Sequence, residues 1–306
     1  MDIGINYITE LDGCKNRYDE IYKFLIEKGY INTLKFPGKY CDYDSLRYFL
    51  NIVKGTNSKR DIHGIPQMIP AIHSKKCTEN IEWEKFISEI GQCDRISTHL
   101  GIENKEILEN YVAGTYEKNL TKLKENLKCE VGIENIPGGF LFDKRTLTPE
   151  FLTNAWEKSD FGVFDISHAK LAAKDLGITY DEYLKNLKYK EKVKILHISG
   201  NIIEIGERKN APDKHVLISR TEIKDIIGLL YEFTNVDLII SEYGFNSKYS
   251  YEKEIVIESI LLNYIVKTRN EEQCIEIFEF LEQNLKSDIS NLEELLERKS
   301  TRELLI

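Results

Sequence analysis

The sequence has no cysteine framework. Its six cysteines are scattered along 306 residues, and no two of them form a Cys-x-x-Cys pair. Structural zinc cages and disulfide-stapled domains both depend on cysteines at short, regular spacings. The cysteine pattern therefore argues against a thiolate metal cage and against a disulfide framework.

Long hydrophobic runs are missing as well. No stretch of about 18 apolar residues occurs, and the best candidate, residues 255–266, is too short for a bilayer and contains Glu258. The N-terminus enters an apolar segment directly, without the positively charged region and cleavage site of a secretory signal. We therefore expect a cytoplasmic protein without a membrane partner.

An excess of positive charge is the third missing feature. The net charge is -9, so the overall field of the protein repels polyanions such as nucleic acids. The sequence shows no basic stripe with interleaved aromatic residues, and no glycine-rich phosphate fingerprint follows its first predicted strand. These absences disfavour a nucleic-acid-binding surface and a dinucleotide-binding open sheet.

What the sequence does contain is a regular alternation of strand and helix patterns. Short apolar segments rich in Ile, Val and Leu are each followed by a helical pattern, and the hydrophobic content of 42% supports a large core. Eight such units in about 265 residues predict a (β/α)8 TIM barrel over residues 1–268. A doubly wound open sheet is the alternative architecture. The predicted strands are residues 3–8, 31–36, 67–72, 95–98, 130–133, 161–165, 192–196 and 236–240.

The remaining residues, 269–306, follow a different pattern. They contain two charged amphipathic helical segments with no strand between them. We expect a C-terminal helical extension of the barrel. It would serve either as a cap packed on the barrel or as a lid or partner-docking element.

Histidines and acidic residues recur at the ends of the predicted strands. In a TIM barrel the catalytic groups lie at these strand ends and on the loops that follow them. A single histidine at a strand end is more often a hydrogen-bonded structural residue, but here such groups converge on one rim. The candidate residues are His73, His99, Glu134, Asp165, His168, His197, Asp213, His215 and Glu242. We place His63 on the incoming side of the third strand and interpret Asp61 as a solvated charge.

These groups are difficult to accommodate in one cleft without cations. Clustered carboxylates repel one another, and neutral imidazoles need donors and acceptors. Divalent metals satisfy both needs, because each binds three or four nitrogen or oxygen ligands and keeps a position open. We therefore predict two or three divalent metal ions, with Glu134 as the natural bridge between them and Glu134, Asp165 and Glu242 as catalytic groups.

The ordered series His, His, Glu, Asp-x-x-His, His, Asp-x-His and Glu resembles the xylose-isomerase-like barrels. This superfamily includes endonuclease IV and the multinuclear non-heme iron-dependent oxidases, and the resemblance covers roughly residues 1–250. The endonuclease pattern implies a grouping of the ligands over three ions. The groups would be His73, His99 and Glu134; then Glu134, Asp165, His197 and Glu242; and then His168, Asp213 and His215.

Two segments are similar to the oxidase branch of this superfamily. Residues 177–187 have the pattern of its Tyr-Leu helix, and the segment His197-Ile-Ser-Gly occupies the place of its His-Leu-Ala-Gly-like strand. The endonuclease branch has His-x-Asn-Asp at this point and an aromatic residue after its first metal histidine, whereas His73 is followed by Ser-Lys-Lys. The first strand departs from the Arg-x-Glu-His sequence of the oxidases.

The resemblance implies an iron-dependent oxidase that modifies a cysteine-containing, ribosomally made peptide with a separate recognition protein. The alternative is a zinc phosphodiesterase acting on abasic DNA, for which nucleic acid would be the partner. A sugar or sugar-phosphate isomerase or epimerase ranks third, and a metal-binding scaffold without catalysis ranks fourth. Histidine and carboxylate ligands accept iron, zinc and manganese alike, so iron is favoured through the resemblance only.

Overall fold

Eight strands and eleven helices follow one another in the part of the chain that the computed structural model describes. The described residues are 1–7, 18–38, 42–69, 72–91, 94–101, 114–137, 144–200, 217–242, 251–285 and 291–297. The strands are β1 (Asp2–Asn6), β2 (Thr33–Pro37), β3 (Lys59–His63), β4 (Arg95–His99), β5 (Glu130–Glu134), β6 (Phe161–Asp165), β7 (Val193–Ile198) and β8 (Leu238–Ser241). The helices are α1 (Asp19–Glu27), α2 (Tyr43–Thr56), α3 (Trp83–Ile90), α4 (Thr115–Leu127), α5 (Pro149–Lys158), α6 (Ile166–Leu176), α7 (Tyr180–Asn186), α8 (Arg220–Glu232), α9 (Tyr251–Thr268), α10 (Glu271–Asn284) and α11 (Leu292–Glu297).

The eight strands form a closed parallel barrel. They are arranged in sequence order, and β1 closes the ring by pairing with both β2 and β8. This arrangement confirms the predicted (β/α)8 TIM barrel. It also places the carboxyl ends of all eight strands on one rim.

The third strand was predicted in the wrong place. The structure forms β3 from Lys59–His63, whereas the apolar pattern had indicated residues 67–72 and an end at His73. Gln67 has a φ of 71°, which lies in the left-handed region and is incompatible with a strand. The apolar pattern did not predict this strand, because charged and polar residues occupy most of it and only Ile62 is apolar.

The interior of the barrel has an apolar side and a polar side. Alternate residues of a barrel strand point inward. On β6, β7 and β8 these positions form a buried apolar cluster of Phe161, Val163, Ile195, Leu238 and Ile240. On β2 and β3 the register instead pairs Lys35 with Asp61, and both side chains are buried. Asp61 is therefore an interior residue, which corrects the sequence-based interpretation of a solvated charge.

One glycine makes room for the apolar side. A Cβ atom built on Gly132 of β5 would lie 2.1 Å from Cε2 of Phe161 on the neighbouring strand. No side chain can occupy that volume while the ring is there. Gly132 therefore allows the largest apolar side chain of the interior cluster to fill the barrel.

The helices after β5 and β6 begin close to the rim. Thr148 caps α5 and Pro149 is its first residue. At α6 the cap is Asp165 itself, whose Oδ1 accepts a hydrogen bond of 2.7 Å from the backbone N–H of His168. Asp165 and His168 are thus joined by the first turn of a helix.

The helices α10 and α11 follow the barrel. Cys274, Ile277, Phe278 and Leu281 of α10 are buried, and this helix packs against α8 and α9. Among the residues that the structure describes, no helix is both long and apolar enough to cross a membrane.

An ion-pair network centred on Arg95 lies at the end of the barrel opposite the rim. Its Nη1 lies 2.7 Å from Oδ1 of Asp237, and its Nε lies 3.9 Å from Oδ1 of Asp61. Asp61 is only 1% exposed. Burial raises the pKa of the Asp61 carboxyl, and the charges of Arg95 and Lys35 oppose that rise.

We expect Arg95→Met to destabilise the fold by about 3 kcal/mol, because it removes a partner of a buried carboxylate. Arg47→Met is the matched control, since Arg47 pairs with Asp44 and Glu89 on the exposed surface of α2 and α3. The control should cost less than about 1 kcal/mol. Urea unfolding followed by circular dichroism measures both changes. Equal losses in the two variants would contradict this view of the barrel interior.

Candidate metal centre

A buried carboxylate lies at the middle of the rim. Glu134, the last residue of β5, is completely inaccessible to solvent. Its Oε1 lies 3.2 Å from Nδ1 of His168 and 3.7 Å from Nε2 of His99. Its Oε2 lies 3.1 Å from Nδ1 of His197 and 3.3 Å from Nε2 of His63. One carboxylate is therefore surrounded by four imidazoles, three from the ends of β3, β4 and β7 and one from the first turn of α6.

The rim residues form two groups that could each hold a metal ion. In each group the ligand atoms all lie within 4.8 Å of one another. We call them the three-residue group and the four-residue group. The three-residue group is His63, His99 and Glu134, and the four-residue group is Glu134, Asp165, His197 and Glu242. Glu134 belongs to both groups, as its predicted bridging role requires.

The chemistry of these residues fits divalent cations. Both oxygens of the Glu134 side chain are buried without a partner in hydrogen-bond geometry. Buried polar atoms in folded proteins nearly always have such a partner, so each exception needs an explanation. A cation bound by Glu134 and the surrounding imidazoles would satisfy the carboxylate and relieve its repulsion with Asp165 and Glu242.

The protonation states also suit metal binding. Burial lowers the pKa of His197 to about 4 and the pKa of His63 well below its usual value. Both imidazoles are therefore neutral near pH 7 and keep a lone pair available. Burial raises the pKa of the Glu134 carboxyl, but His197, His99 and His63 favour its ionised form more strongly and hold that pKa well below its ordinary range.

Outer contacts fix the orientation of these groups. His63 Nδ1 lies 2.8 Å from Oγ of Ser97, and His168 Nδ1 donates to the carbonyl oxygen of Asn135 over 2.9 Å. The Asn135 amide accepts from the N–H of Asp165 over 2.7 Å and donates to its carbonyl over 2.9 Å. This pair of bonds ties the end of β5 to the end of β6. Such contacts set the orientation and basicity of metal ligands.

Sequence reasoning missed two residues of the rim. His63 was assigned to the incoming side, but it is the last residue of β3 and belongs to the three-residue group. Lys35 was not among the predicted site residues, yet its ammonium forms an ion pair with Glu242 and lies 3.4 Å from Nδ1 of His197. The signal that could have identified Lys35 was a single charged residue within a strand that is otherwise uncharged.

His73 does not join the rim. Its ring stacks on Tyr116 at a centroid distance of 5.0 Å and lies 4.8 Å from the ring of Phe151. These contacts are with α4 and α5 on the outside of the barrel, beside a cavity of about 170 Å³. The position predicted for His73 is therefore wrong, and His63 lies there because β3 ends earlier than expected. Asp213 and His215 lie outside the described residues, so their grouping with His168 stays a prediction.

Comparisons with known proteins concern the fold. No protein-family model matches the chain, and no curated protein matches its sequence. The structure is similar to 3-keto-D-glucoside 4-epimerase from E. coli, with a TM-score of 0.53, 11% identity, and coverage of 86% of this chain and 98% of that one. A xylose isomerase domain-containing protein from Salmonella typhimurium gives a TM-score of 0.53, 11% identity, and coverage of 86% and 97%. D-psicose 3-epimerase from Clostridium cellulolyticum gives 0.50, 10% identity, and coverage of 100% and 99%. These likenesses show the TIM-barrel fold.

The buried His73 makes the fold sensitive to acid. Burial lowers its pKa from 6.5 to about 4, so the unfolded chain takes up this proton before the folded chain does. Stability is therefore lost as the pH falls from about 6.5 towards 4. We expect His73→Phe, which keeps an aromatic ring between Tyr116 and Phe151, to reduce that loss by about 3 kcal/mol. Urea unfolding at pH 7, 5 and 4, with chelator in both samples, measures the difference. Parallel pH profiles of the two proteins would refute it.

Proposed function

We propose that the chain is a metal-dependent enzyme whose centre holds at least two divalent cations that share Glu134. The observation that supports this most strongly is the membership of Glu134 in both ligand groups. The completely buried Glu134 carboxylate and the imidazoles around it offer oxygen and nitrogen ligands to both cations. The resemblance of the rim sequence to multinuclear barrels and the enzymes that share this fold support the same proposal.

The first candidate reaction is oxidation by a non-heme iron centre. The three-residue group offers two imidazoles and one carboxylate, which is the ligand set typical of iron(II) sites that react with dioxygen. Iron bound there would supply one-electron chemistry and an open position for substrate. As its substrate we propose a cysteine-containing, ribosomally made peptide, delivered by a separate recognition protein.

The side chains in and around the three-residue group would have distinct roles in this reaction. His63 and His99 are held edge to face, with ring centroids 4.5 Å apart, so neither ring can turn independently. Glu134 keeps its negative charge because the imidazoles favour its ionised form. Asp165, held by Asn135 and by the N-terminus of α6, is a second fixed carboxylate that can receive a proton from the substrate. Burial of these groups excludes bulk water from the reacting atoms.

The second candidate is a sugar isomerase or epimerase. The four-residue group takes one residue from the end of each of the strands β5, β6, β7 and β8, and two of the proteins similar in fold are epimerases by name. In this candidate Glu134 and Glu242 would move a proton at a carbon next to a carbonyl group, while a divalent ion would polarise that carbonyl. His63 and His99 have no task in such a mechanism. The zinc phosphodiesterase alternative needs Asp213 and His215 as well, and it remains a prediction.

The metal content tests the proposal before any substrate is known. We expect the protein purified under anaerobic conditions to carry at least two divalent ions per chain. His63→Ala should remove one of them, because the three-residue group loses a nitrogen ligand. His73→Ala is the matched control and should keep them all, since His73 lies outside both groups. Elemental analysis by mass spectrometry gives the answer. Loss of an ion from His73→Ala and not from His63→Ala would refute the site.

Two assays distinguish the candidate reactions. For the oxidase we expect iron-dependent oxygen consumption with a cysteine-containing peptide, and a decrease of at least about 100-fold in His63→Ala. For the epimerase we expect deuterium from D2O to enter a ketohexose, at a rate that His63→Ala leaves largely unchanged. Exchange without oxygen consumption would reject the oxidase in favour of the epimerase. Failure of both assays with the metal-loaded protein would reject both reactions.

A further inference from the structure

Lys35 introduces a positive charge into the four-residue group. It is the third residue of β2 and only 1% exposed. Its ammonium forms an ion pair with Oε1 of Glu242 and lies 3.4 Å from Nδ1 of His197. That same nitrogen of His197 lies 3.1 Å from both Glu134 and Glu242. The ammonium is therefore beside the atoms that would bind a metal ion in this group.

Side chains of alternating charge follow one another along the polar side of the barrel, from Arg95 to the rim. Arg95 lies 3.9 Å from Asp61, and the register places Asp61 beside Lys35 on the neighbouring strand. Lys35 in turn reaches Glu242 on the rim. Lys35 thus lies between two carboxylates, that of Asp61 in the barrel interior and that of Glu242 on the rim. Opposite charges on both sides hold the ammonium in this position.

The charge of the rim depends on this lysine. Among the described residues the four-residue group contains three carboxylates, namely Glu134, Asp165 and Glu242, and Lys35 offsets one of them. The net charge that remains is balanced by a single divalent ion. A second divalent ion would lie close to both the first ion and the ammonium, and repulsion between like charges is strong in so dry a site.

We propose that Lys35 is a built-in cation of the four-residue group, and that it weakens the binding of a divalent ion there. This inference rests on the proposed metal centre. The four-residue group would hold an exchangeable ion that must share Glu242 and His197 with the ammonium. Lys35 is in this sense a positioning residue that sets the affinity of the four-residue group for its ion.

Titration of the metal-free protein with Mn²⁺ tests this inference. The signal of free aqueous Mn²⁺ in electron paramagnetic resonance reports the number and affinity of bound ions. We expect the wild-type protein to bind at least two ions, one of which exchanges readily. Lys35→Met should tighten at least one of them by at least about 10-fold, because the ammonium no longer competes for Glu242 and His197. Lys59→Met is the control, because Lys59 pairs with Asp2 at the opposite end of the barrel, and it should titrate like the wild type.

The outcomes separate this inference from the proposed function. If the wild type and Lys35→Met bind two ions with the same affinities, the role of Lys35 is refuted while the metal centre stands. If neither protein binds Mn²⁺, both the centre and the inference fail. Lys35→Gln is titrated in the same way if circular dichroism shows that Lys35→Met does not fold.

Discussion

The Glu134 carboxylate is completely buried at the end of β5, and the arrangement around it follows from that constraint. A charge removed from water must be met by groups that favour its ionised form. The closed barrel supplies them, because parallel strands bring their carboxyl ends to one rim. Imidazoles from β3, β4, β7 and α6 surround Glu134, and the interior below the rim becomes polar on the side of β2 and β3.

Much of the fold and of the rim could be predicted from the sequence. Seven of the predicted strands agree with the structure to within two residues at each end, because their apolar residues are continuous and bounded by polar segments. Glu134, Asp165 and His197 were identified as candidate ligands because each lies at the carboxyl end of such a strand. The prediction failed at β3, where inward positions carry Asp61 and His63. A strand that lines a polar interior does not show the apolar pattern by which strands are recognised.

The contacts that orient the rim could not be predicted in this way. The two hydrogen bonds of Asn135 depend on how the ends of β5 and β6 lie beside each other. The pairing of Lys35 with Glu242 depends on the closure of the barrel, which brings residues from distant parts of the chain together. Residue type and spacing along the chain contain no information on either relation. Only the strand register shows that Lys35 and Asp61 are neighbours.

The ring of ligands also has a mechanical consequence for the whole barrel. Ions held through Glu134 would cross-link strands from β3 to β8, and so would close loops that span most of the chain. Neither half of the barrel could then unfold without releasing the ions that the other half helps to bind. The loaded protein would open as a single unit, and its lifetime would depend on the concentration of free metal as much as on temperature.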